Sequence, residues 1–288
     1  TLPKFNYWWL TLALAVQMLS HVSRAIRWNL LIQPLGYNPR KINTFLSVMI
    51  MYLMNFAIPR SGEVSRCGVL SQYEKIPFSK LLGTMILERL FDVIMMFLLA
   101  FIVFFSQFDV ILEFFRNNPA VNEKLSGLLT TRMILLGIVI IFILFTALII
   151  LFKTKLKNNW IVQKIKGFMK NIHEGFRTFI TMKNKWAFIG HSIFIWVIYF
   201  ITFYFYFFSF ESTAHLSIMV ALSAFIMSTF GMLAPVQGGI GAWHFMVIET
   251  LFIYGISKTQ AQIFALVTHG SMTILLIILG FVALFALP

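Results

Sequence analysis

The chain has 288 residues, of which 59% are hydrophobic and 11% are charged, and its mean hydropathy is +0.86. This composition excludes a soluble domain with a charged surface on every side and indicates an integral membrane protein. The formal net charge of +13 does not indicate nucleic-acid binding, because the basic residues flank apolar runs, a pattern that sets membrane topology and attracts anionic lipid head groups.

Continuously apolar runs predict helical spans, since transmembrane β-strands would alternate polar and apolar residues. We expect one transmembrane domain over 1–288, with helices at about 7–32, 79–107, 132–152, 186–208 and 259–287. Because the chain begins with Thr1 and not Met, we also expect residues upstream of it.

The range 153–185 carries many lysines and one acid, Glu174, so the positive-inside rule predicts a cytoplasmic loop. Its apolar residues recur at helical spacing. That pattern fits a basic amphipathic helix on the membrane surface or, equally, a connector helix packed on the protein.

Two further apolar stretches, 42–75 and 216–254, are each interrupted by proline and glycine. With 153–185 inside, the first stretch leaves from and returns to the cytoplasmic side, and the second leaves from and returns to the outside. We therefore expect two opposed re-entrant hairpins that meet near mid-depth. The predicted fold is an all-α polytopic helical bundle, with the two halves related as an inverted repeat.

Three polar segments, 60–66, 88–92 and 235–241, interrupt this apolar chain. Ionised groups persist inside a bilayer mainly where they line a polar cavity or a substrate path. Together with two arginines late in the first helix, these segments supply the candidate substrate-binding residues: Arg24, Arg27, Arg60, Glu63, Arg66, Glu88, Arg89, Asp92, Gln237, Gly238 and Gly239.

Guanidinium groups suit phosphate, and carboxylates can hold them in place when no ligand is bound. The alternative is that Glu88, Arg89 and Asp92 form purely structural ion pairs between helices. His21, Arg24 and Arg27 lie on one face of the first helix and could contact one ligand or could anchor the helix at the cytoplasmic interface. The glycines of 235–241 could offer backbone N–H groups to a head group or could serve only to form a tight turn.

The sequence gives little support for disulfide, metal or catalytic chemistry. Cys67 is the single cysteine, so the chain has no internal disulfide, and His244, Glu249 and His269 lack metal-ligand spacing. Nucleotide-binding glycine loops, a nucleophile elbow and zinc-protease motifs are also missing from the sequence. We expect no metal, no cofactor and no catalytic residue.

The segments RSGEVSR (60–66), ERLFD (88–92), PVQGGIG (235–241) and SHVSRAIRW (20–28) resemble, in order, the flippase-like transmembrane family that includes the membrane region of lysylphosphatidylglycerol synthase. The resemblance implies a bacterial-type inner-membrane protein that handles aminoacylated phosphatidylglycerol, hopanoid-type lipids or lipid-linked sugars, and one further helix before Thr1. Two features depart from the family pattern: Val236 and Gln237 precede the glycines, and His244 stands where a carboxylate is expected.

The leading functional hypothesis is translocation of a polar or anionic phospholipid, or of a lipid-linked head group, across the inner membrane. One alternative is a membrane-embedded head-group transferase with Glu63, Glu88 or Asp92 as base, although no sizeable soluble domain is available to bind an activated donor. Another is an accessory subunit that binds lipid or a partner enzyme. The expected partners are membrane lipids, with a second copy of the chain or a partner synthase, and no nucleic acid.

Overall fold

The computed structural model describes residues 5–108, 179 and 182–287, and almost all of these belong to one compact unit. Within these ranges the chain is helical, and its only β-type pairing is an isolated bridge between Phe5 and Phe210. The α-helices of the described ranges are α1 (Tyr7–Ile32), α2 (Lys41–Ala57), α3 (Gly62–Glu74), α4 (Phe78–Ser106), α5 (Lys185–Ser209), α6 (Ile218–Gly231), α7 (Ala242–Ile253) and α8 (Lys258–Ala286).

Four of the helices are long enough to cross a bilayer. Helices α1, α4, α5 and α8 contain 26, 29, 25 and 29 residues. They are therefore about 38–44 Å long, against about 30 Å for the hydrocarbon core. By length and composition, α5 and α8 are both apolar enough to span a membrane. Their bounds lie within one residue of the ranges expected for spans.

Side-chain caps fix several helix starts. The Asn6 side chain accepts a hydrogen bond from the Trp8 N–H, and Ser217 and Ser257 cap α6 and α8 in the same way. Such caps satisfy N–H groups that have no partner inside the helix. The expected span at 132–152 and almost all of the basic segment 153–185 lie outside the described residues.

The remaining helices form two short pairs, α2 with α3 and α6 with α7. These helices contain 12–17 residues and are about 18–26 Å long, shorter than a hydrocarbon core. Helix α2 ends before Pro59, and α6 ends shortly before Pro235. Each pair packs closely along its length, so each is a helical hairpin in the ranges expected from the sequence.

Helix α8 shows how the two hairpins are arranged. In its first half, Glu249 of α7 lies 3.6 Å from Lys258, and the Trp243 ring lies 4.9 Å from that of His269. In its second half, Gly280 packs against α2 so closely that an added Cβ would lie 2.5 Å from the Leu53 Cβ. The hairpins therefore lie along opposite halves of α8.

The turns of the two hairpins meet near the middle of α8. The Arg60 guanidinium donates a hydrogen bond to the Leu233 carbonyl, and the Phe56 ring lies directly against Gly238. His269, close to the midpoint of α8, contacts the Gly238 carbonyl at 3.0 Å through Nε2. We call this region the turn contact.

Helices α1 and α5 pack antiparallel along most of their length. At one end the Asn6 N–H donates to the Ser209 carbonyl, and the Trp9 ring packs on those of Phe205 and Phe208. At the other end, Arg27 lies beside Ser192. This pairing brings the late part of α1 to the early part of α5, where α4 also begins.

Candidate functional site

Seven charged side chains from α1, α3 and α4 meet at one place, which we call the charged cluster. Within each helix the charged residues are three or four positions apart, so they share one helix face, except that Arg89 of α4 directly follows Glu88. The members are Arg24 and Arg27 of α1, Glu63 and Arg66 of α3, and Glu88, Arg89 and Asp92 of α4.

The inner half of the cluster is centred on Glu88. One Glu88 oxygen accepts hydrogen bonds from Arg27 at 2.8 Å and from Arg89 at 2.9 Å. The other oxygen lies 3.0 Å from Arg66 in an ion pair that lacks hydrogen-bond alignment. The side chains of Arg27, Arg66 and Glu88 are all 0% exposed. Glu88 is therefore the common counter-ion of three arginines.

The Trp28 ring packs against the inner half of the cluster. The Arg66 guanidinium lies 4.5 Å from the centre of the Trp28 ring, a distance at which a cation is attracted to an aromatic face. The Trp28 Nε1–H donates to the Thr84 hydroxyl at 3.0 Å, which fixes the ring. Arg66 thus has a ring face and one carboxylate as partners.

The outer half of the cluster is open. The Arg89 side chain is 32% exposed, Glu63 25% and Asp92 12%. Arg89 lies 3.3 Å from Glu63 and 2.9 Å from Asp92, and Asp92 also accepts a 2.7 Å hydrogen bond from Arg27. The network is thus buried around Glu88 and exposed around Arg89. A ligand could therefore reach Arg89 without displacing Arg27 or Arg66 from Glu88.

The cluster carries an excess of positive charge. Of the charged groups joined in it within the described ranges, four are arginines and three are carboxylates, which leaves one positive charge. A single charge without a counter-ion is costly in a low-dielectric site. The cluster is therefore electrostatically suited to one added anion.

Glycine sets the position of α3. The Gly62 N–H donates to the Asn55 side chain at 2.8 Å, and an added Cβ at Gly62 would collide with the Met51 carbonyl of α2. Only glycine allows α3 to start this close to α2. The close start places Glu63 and Arg66 over α4.

Arg24 and Arg27 are buried inside the protein, 6% and 0% exposed. Both pair with carboxylates of α4, Arg24 with Asp92 and Arg27 with Glu88 and Asp92. Arg24 lies 3.7 Å from Asp92 and 5.9 Å from the ring centres of both Tyr52 and Tyr199.

The structure does not bring every candidate residue to the cluster. Arg60 lies at the turn contact with a left-handed backbone (φ 64°) and, among the described residues, forms no ion pair. Gln237, Gly238 and Gly239 also lie there and not in the cluster. The structure therefore places these four candidate residues at the turn contact and the other seven in the charged cluster.

The glycines of 235–241 form a turn. Gly238, Gly239 and Gly241 all have positive φ, between 56° and 85°, where glycine is favoured. The Gly239 N–H donates to the Val236 carbonyl, and the Gly241 N–H donates to His244 Nδ1. These two donors are used within the turn, which favours the conformational interpretation over binding by free N–H groups.

A scan against protein-family models matches residues 1–280 to the lysylphosphatidylglycerol synthase TM region. The chain belongs to this family. A curated relative, the UPF0104 membrane protein MJ1595 of Methanocaldococcus jannaschii, is 32% identical over 102 residues, which is 34% of this chain and 29% of that protein. The alignment thus spans less than a third of the relative. No solved structure matches the chain.

Membership of the family makes this an integral membrane protein, which explains the many exposed apolar side chains. Phe97, Phe101 and Phe105 of α4 and Phe281 and Phe285 of α8 are all more than half exposed. In a bilayer such side chains face lipid.

Sequence reasoning missed the contribution of α5 to the site. The Ser192 hydroxyl accepts a hydrogen bond from Arg27 at 3.2 Å, and His191 Nδ1 lies 2.8 Å from the Ser23 hydroxyl. The sequence does indicate this contribution, because His191 and Ser192 are adjacent polar residues early in a mostly apolar and aromatic helix.

Proposed function

We propose that this protein moves a polar or anionic lipid across the membrane, with the head group passing through the charged cluster while the acyl chains stay in the bilayer. The proposal rests on the charged cluster being buried in its inner half and exposed in its outer half. Arg89 is accessible beside a fully buried Arg27–Glu88–Arg66 centre. Purely structural ion pairs need no open arginine and no excess positive charge.

The depth of the cluster supports this role. Glu88 and Asp92 lie about 15 and 21 Å from the start of α4, which places Asp92 at the midpoint of that 29-residue helix. At such depths an ionised side chain costs roughly 2.5–3.5 kcal/mol on insertion scales unless it is paired or hydrated. A polar route for a lipid head group accounts for charged residues at this depth.

The hairpin arrangement also fits a transporter. If α8 spans the bilayer, the α2–α3 and α6–α7 hairpins are re-entrant from opposite faces, and their turns meet near mid-depth. Broken helices that meet near the midplane are typical of transporters built as inverted repeats. We propose the same plan here, with the turn contact as the place where the two hairpins meet.

We place the chain in the inner (plasma) membrane, with 153–185 on the cytoplasmic side because of its many lysines. The cluster then lies nearer the cytoplasmic face, where α1 ends and α4 and α5 begin. Exposed aromatic residues mark the two ends, Tyr7 and Trp8 at the start of α1 and Trp186 at the start of α5. Such residues are typical of membrane interfaces.

We favour translocation over head-group transfer. Glu63, Glu88 and Asp92, the candidate bases, each lie within 3.3 Å of at least one arginine. A carboxylate stabilised by guanidinium groups is a weak base. The charged residues are thus better suited to hold an anion than to remove a proton.

The test is lipid exchange in liposomes. Purified protein is reconstituted with phospholipids that carry a fluorophore on an acyl chain, and a membrane-impermeant quencher reports exchange between leaflets. We expect exchange with the wild type and a loss of at least about tenfold with Arg89→Gln, since one charge-assisted contact to the phosphate disappears.

The matched control is Lys80→Gln, which removes one positive charge from an exposed position on the same helix, two turns before the cluster. It should exchange lipid like the wild type. Equal rates for wild type and Arg89→Gln would overturn the proposal. A changed lipid mass without exchange would instead identify a transferase.

A further inference from the structure

We infer that the protein binds a proton at the turn contact, on the imidazole of His244, and that this proton separates the turns of the two hairpins. The inference goes beyond the proposed function, because it adds a coupling ion to lipid movement. It rests on that function only in the lipid part of its test. A proton needs an accessible nitrogen and no cavity, so the argument concerns hydrogen bonds and charge.

Two histidines lie side by side at the turn contact. The ring of His244, in the first turn of α7, has its centre 4.7 Å from that of His269 in α8. The Trp243 ring contacts both, at 5.6 and 4.9 Å. His269 is 7% exposed, whereas His244 is only partly buried. His244 is therefore the member of the pair that a proton from water can reach.

Hydrogen bonds at the glycine turn define the form of both rings. The Gly238 carbonyl can only accept, so His269 Nε2, 3.0 Å away, carries a hydrogen. The Gly241 N–H can only donate, so His244 Nδ1, 3.3 Å away, is a bare acceptor. His244 is thus neutral here, with its single hydrogen on Nε2. The two bonds tie the same turn to α7 and to α8.

A proton on His244 conflicts with the closed turn. It bonds to the lone pair of Nδ1 and makes that atom a donor, so the bond from the Gly241 N–H is lost. The new positive charge also lies in the first turn of α7, at the positive end of the helix dipole, and beside the His269 ring. Because coupling is reciprocal, protonation disfavours the closed turn by the same factor as the closed turn disfavours protonation.

Carboxylates of the neighbouring helices do not neutralise this charge. Each is within ion-pair distance of a basic residue: Glu249 of Lys258, and Glu63 and Asp92 of Arg89. Within the part of the chain that the structure describes, no carboxylate pairs with either imidazole. A protonated His244 therefore gains no counter-ion while the turn stays closed.

The other titratable groups near the turn contact add positive charge or none. The first hairpin contributes Arg60, which bonds the Leu233 carbonyl, and α6 contains no titratable residue. The remaining groups are tyrosines, which are neutral near pH 7: Tyr52 of α2, Tyr206 of α5 and Tyr254 after α7. Once the turn opens, the imidazole is free of these contacts and titrates in the ordinary range of histidine, between about pH 5 and 8.

The place of the site suits a coupling ion. Arg60 and Gln237 are exposed polar residues of the two turns, and at membrane depth such groups face a polar or watery space. Arg60 precedes Glu63 by three residues, so the turn contact adjoins the charged cluster. Opening it extends the polar route beyond the cluster. Transporters with broken helices bind their coupling ions near this depth.

The test measures the turn contact directly, in liposomes. Spin labels are attached in Ile58→Cys with Ile240→Cys, since both residues are exposed and lie in the two turns, while the buried Cys67 stays unlabelled. The label separation is measured at about pH 7.5 and about pH 5.5. We expect a longer separation whose fraction grows at least about fivefold at the lower pH, the size of one hydrogen bond. The same distribution at both pH values would overturn the inference.

Two variants assign the effect to one ring. His244→Asn keeps an oxygen that can accept from the Gly241 N–H but cannot take up a proton, so the separation should stay short at both pH values. His215→Asn is the matched control, because His215 is an exposed histidine in the connector between α5 and α6. It should respond to pH like the wild type. A pH response in His244→Asn equal to that of the wild type would refute the assignment.

Lipid exchange separates this inference from the proposed function. In the liposome assay, exchange by the wild type should be at least about fivefold faster at about pH 5.5 than at about pH 7.5, and His244→Asn should abolish the difference. A longer label separation at low pH without exchange at either pH would refute translocation and support the proton site. Exchange at equal rates, with an unchanged separation, would support translocation and refute the proton site.

Discussion

The sharpest prediction concerns Glu88. In Glu88→Gln the side chain keeps its shape but loses its charge, and its three arginines are affected unequally. Arg27 keeps Asp92, and Arg89 keeps Glu63 and Asp92, whereas Arg66 has no other carboxylate partner among the described residues. The variant therefore leaves one fully buried guanidinium without a counter-ion.

The expected loss follows from that burial. Removing one partner of a buried ion pair destabilises a protein by about 3–5 kcal/mol. For a chain of this size the loss corresponds to a fall in the melting temperature on the order of 10 °C. Melting is followed by tryptophan fluorescence in detergent micelles, since the chain contains seven tryptophans.

A second substitution tests the cause. In Glu88→Gln with Arg66→Met the unpaired charge is gone, and a flexible apolar chain can pack against the Trp28 ring. Most of the lost stability should return, because buried ion pairs can be replaced by apolar residues at little cost. A single variant that melts like the wild type, or a double variant less stable than the single, would refute the pairing described above.

Three further predictions concern packing and access. Gly62→Ala should destabilise the protein by about 1–3 kcal/mol because its Cβ meets α2. Gly68→Ala, which has open space inside the same helix, should leave the melting temperature unchanged or raise it slightly, since alanine favours a helix by up to about 1 kcal/mol over glycine. Gly238→Ala should also lower the melting temperature, since an added Cβ would meet the Phe56 ring and alanine disfavours a φ of 56°. Cys67 should resist a water-soluble maleimide in the folded wild type, whereas Glu63→Cys with Cys67→Ser should react, because position 63 is accessible and position 67 is 0% exposed. An unreactive cysteine at 63 would contradict an open cluster.

Much of the secondary structure could be predicted from the sequence because it depends on local composition. The length of an apolar run sets the length of a helix, and proline ends a helix wherever it falls. The ends of α1, α4, α5 and α8 and the breaks after α2 and α6 followed from these rules.

The site was only partly predictable. Spacing of three and four residues places Arg24 with Arg27 and Glu88 with Asp92 on single helix faces, which sequence alone reveals. Arg60 and Arg66 belong to one polar segment, yet the turn after Pro59 places Arg60 at the turn contact while α3 carries Arg66 to Glu88.

The sequence by itself determined that the protein is helical, that it is apolar enough for a membrane, and where charge interrupts it. Only the tertiary structure decided that Glu88 pairs with arginines of two other helices, and that His191 and Ser192 of α5 lie beside the end of α1. The physical reason is that helix formation depends on neighbouring residues, whereas ion pairing depends on the register between helices distant in sequence. That register is set by packing of whole helix faces, including the close contact of Gly62 with α2.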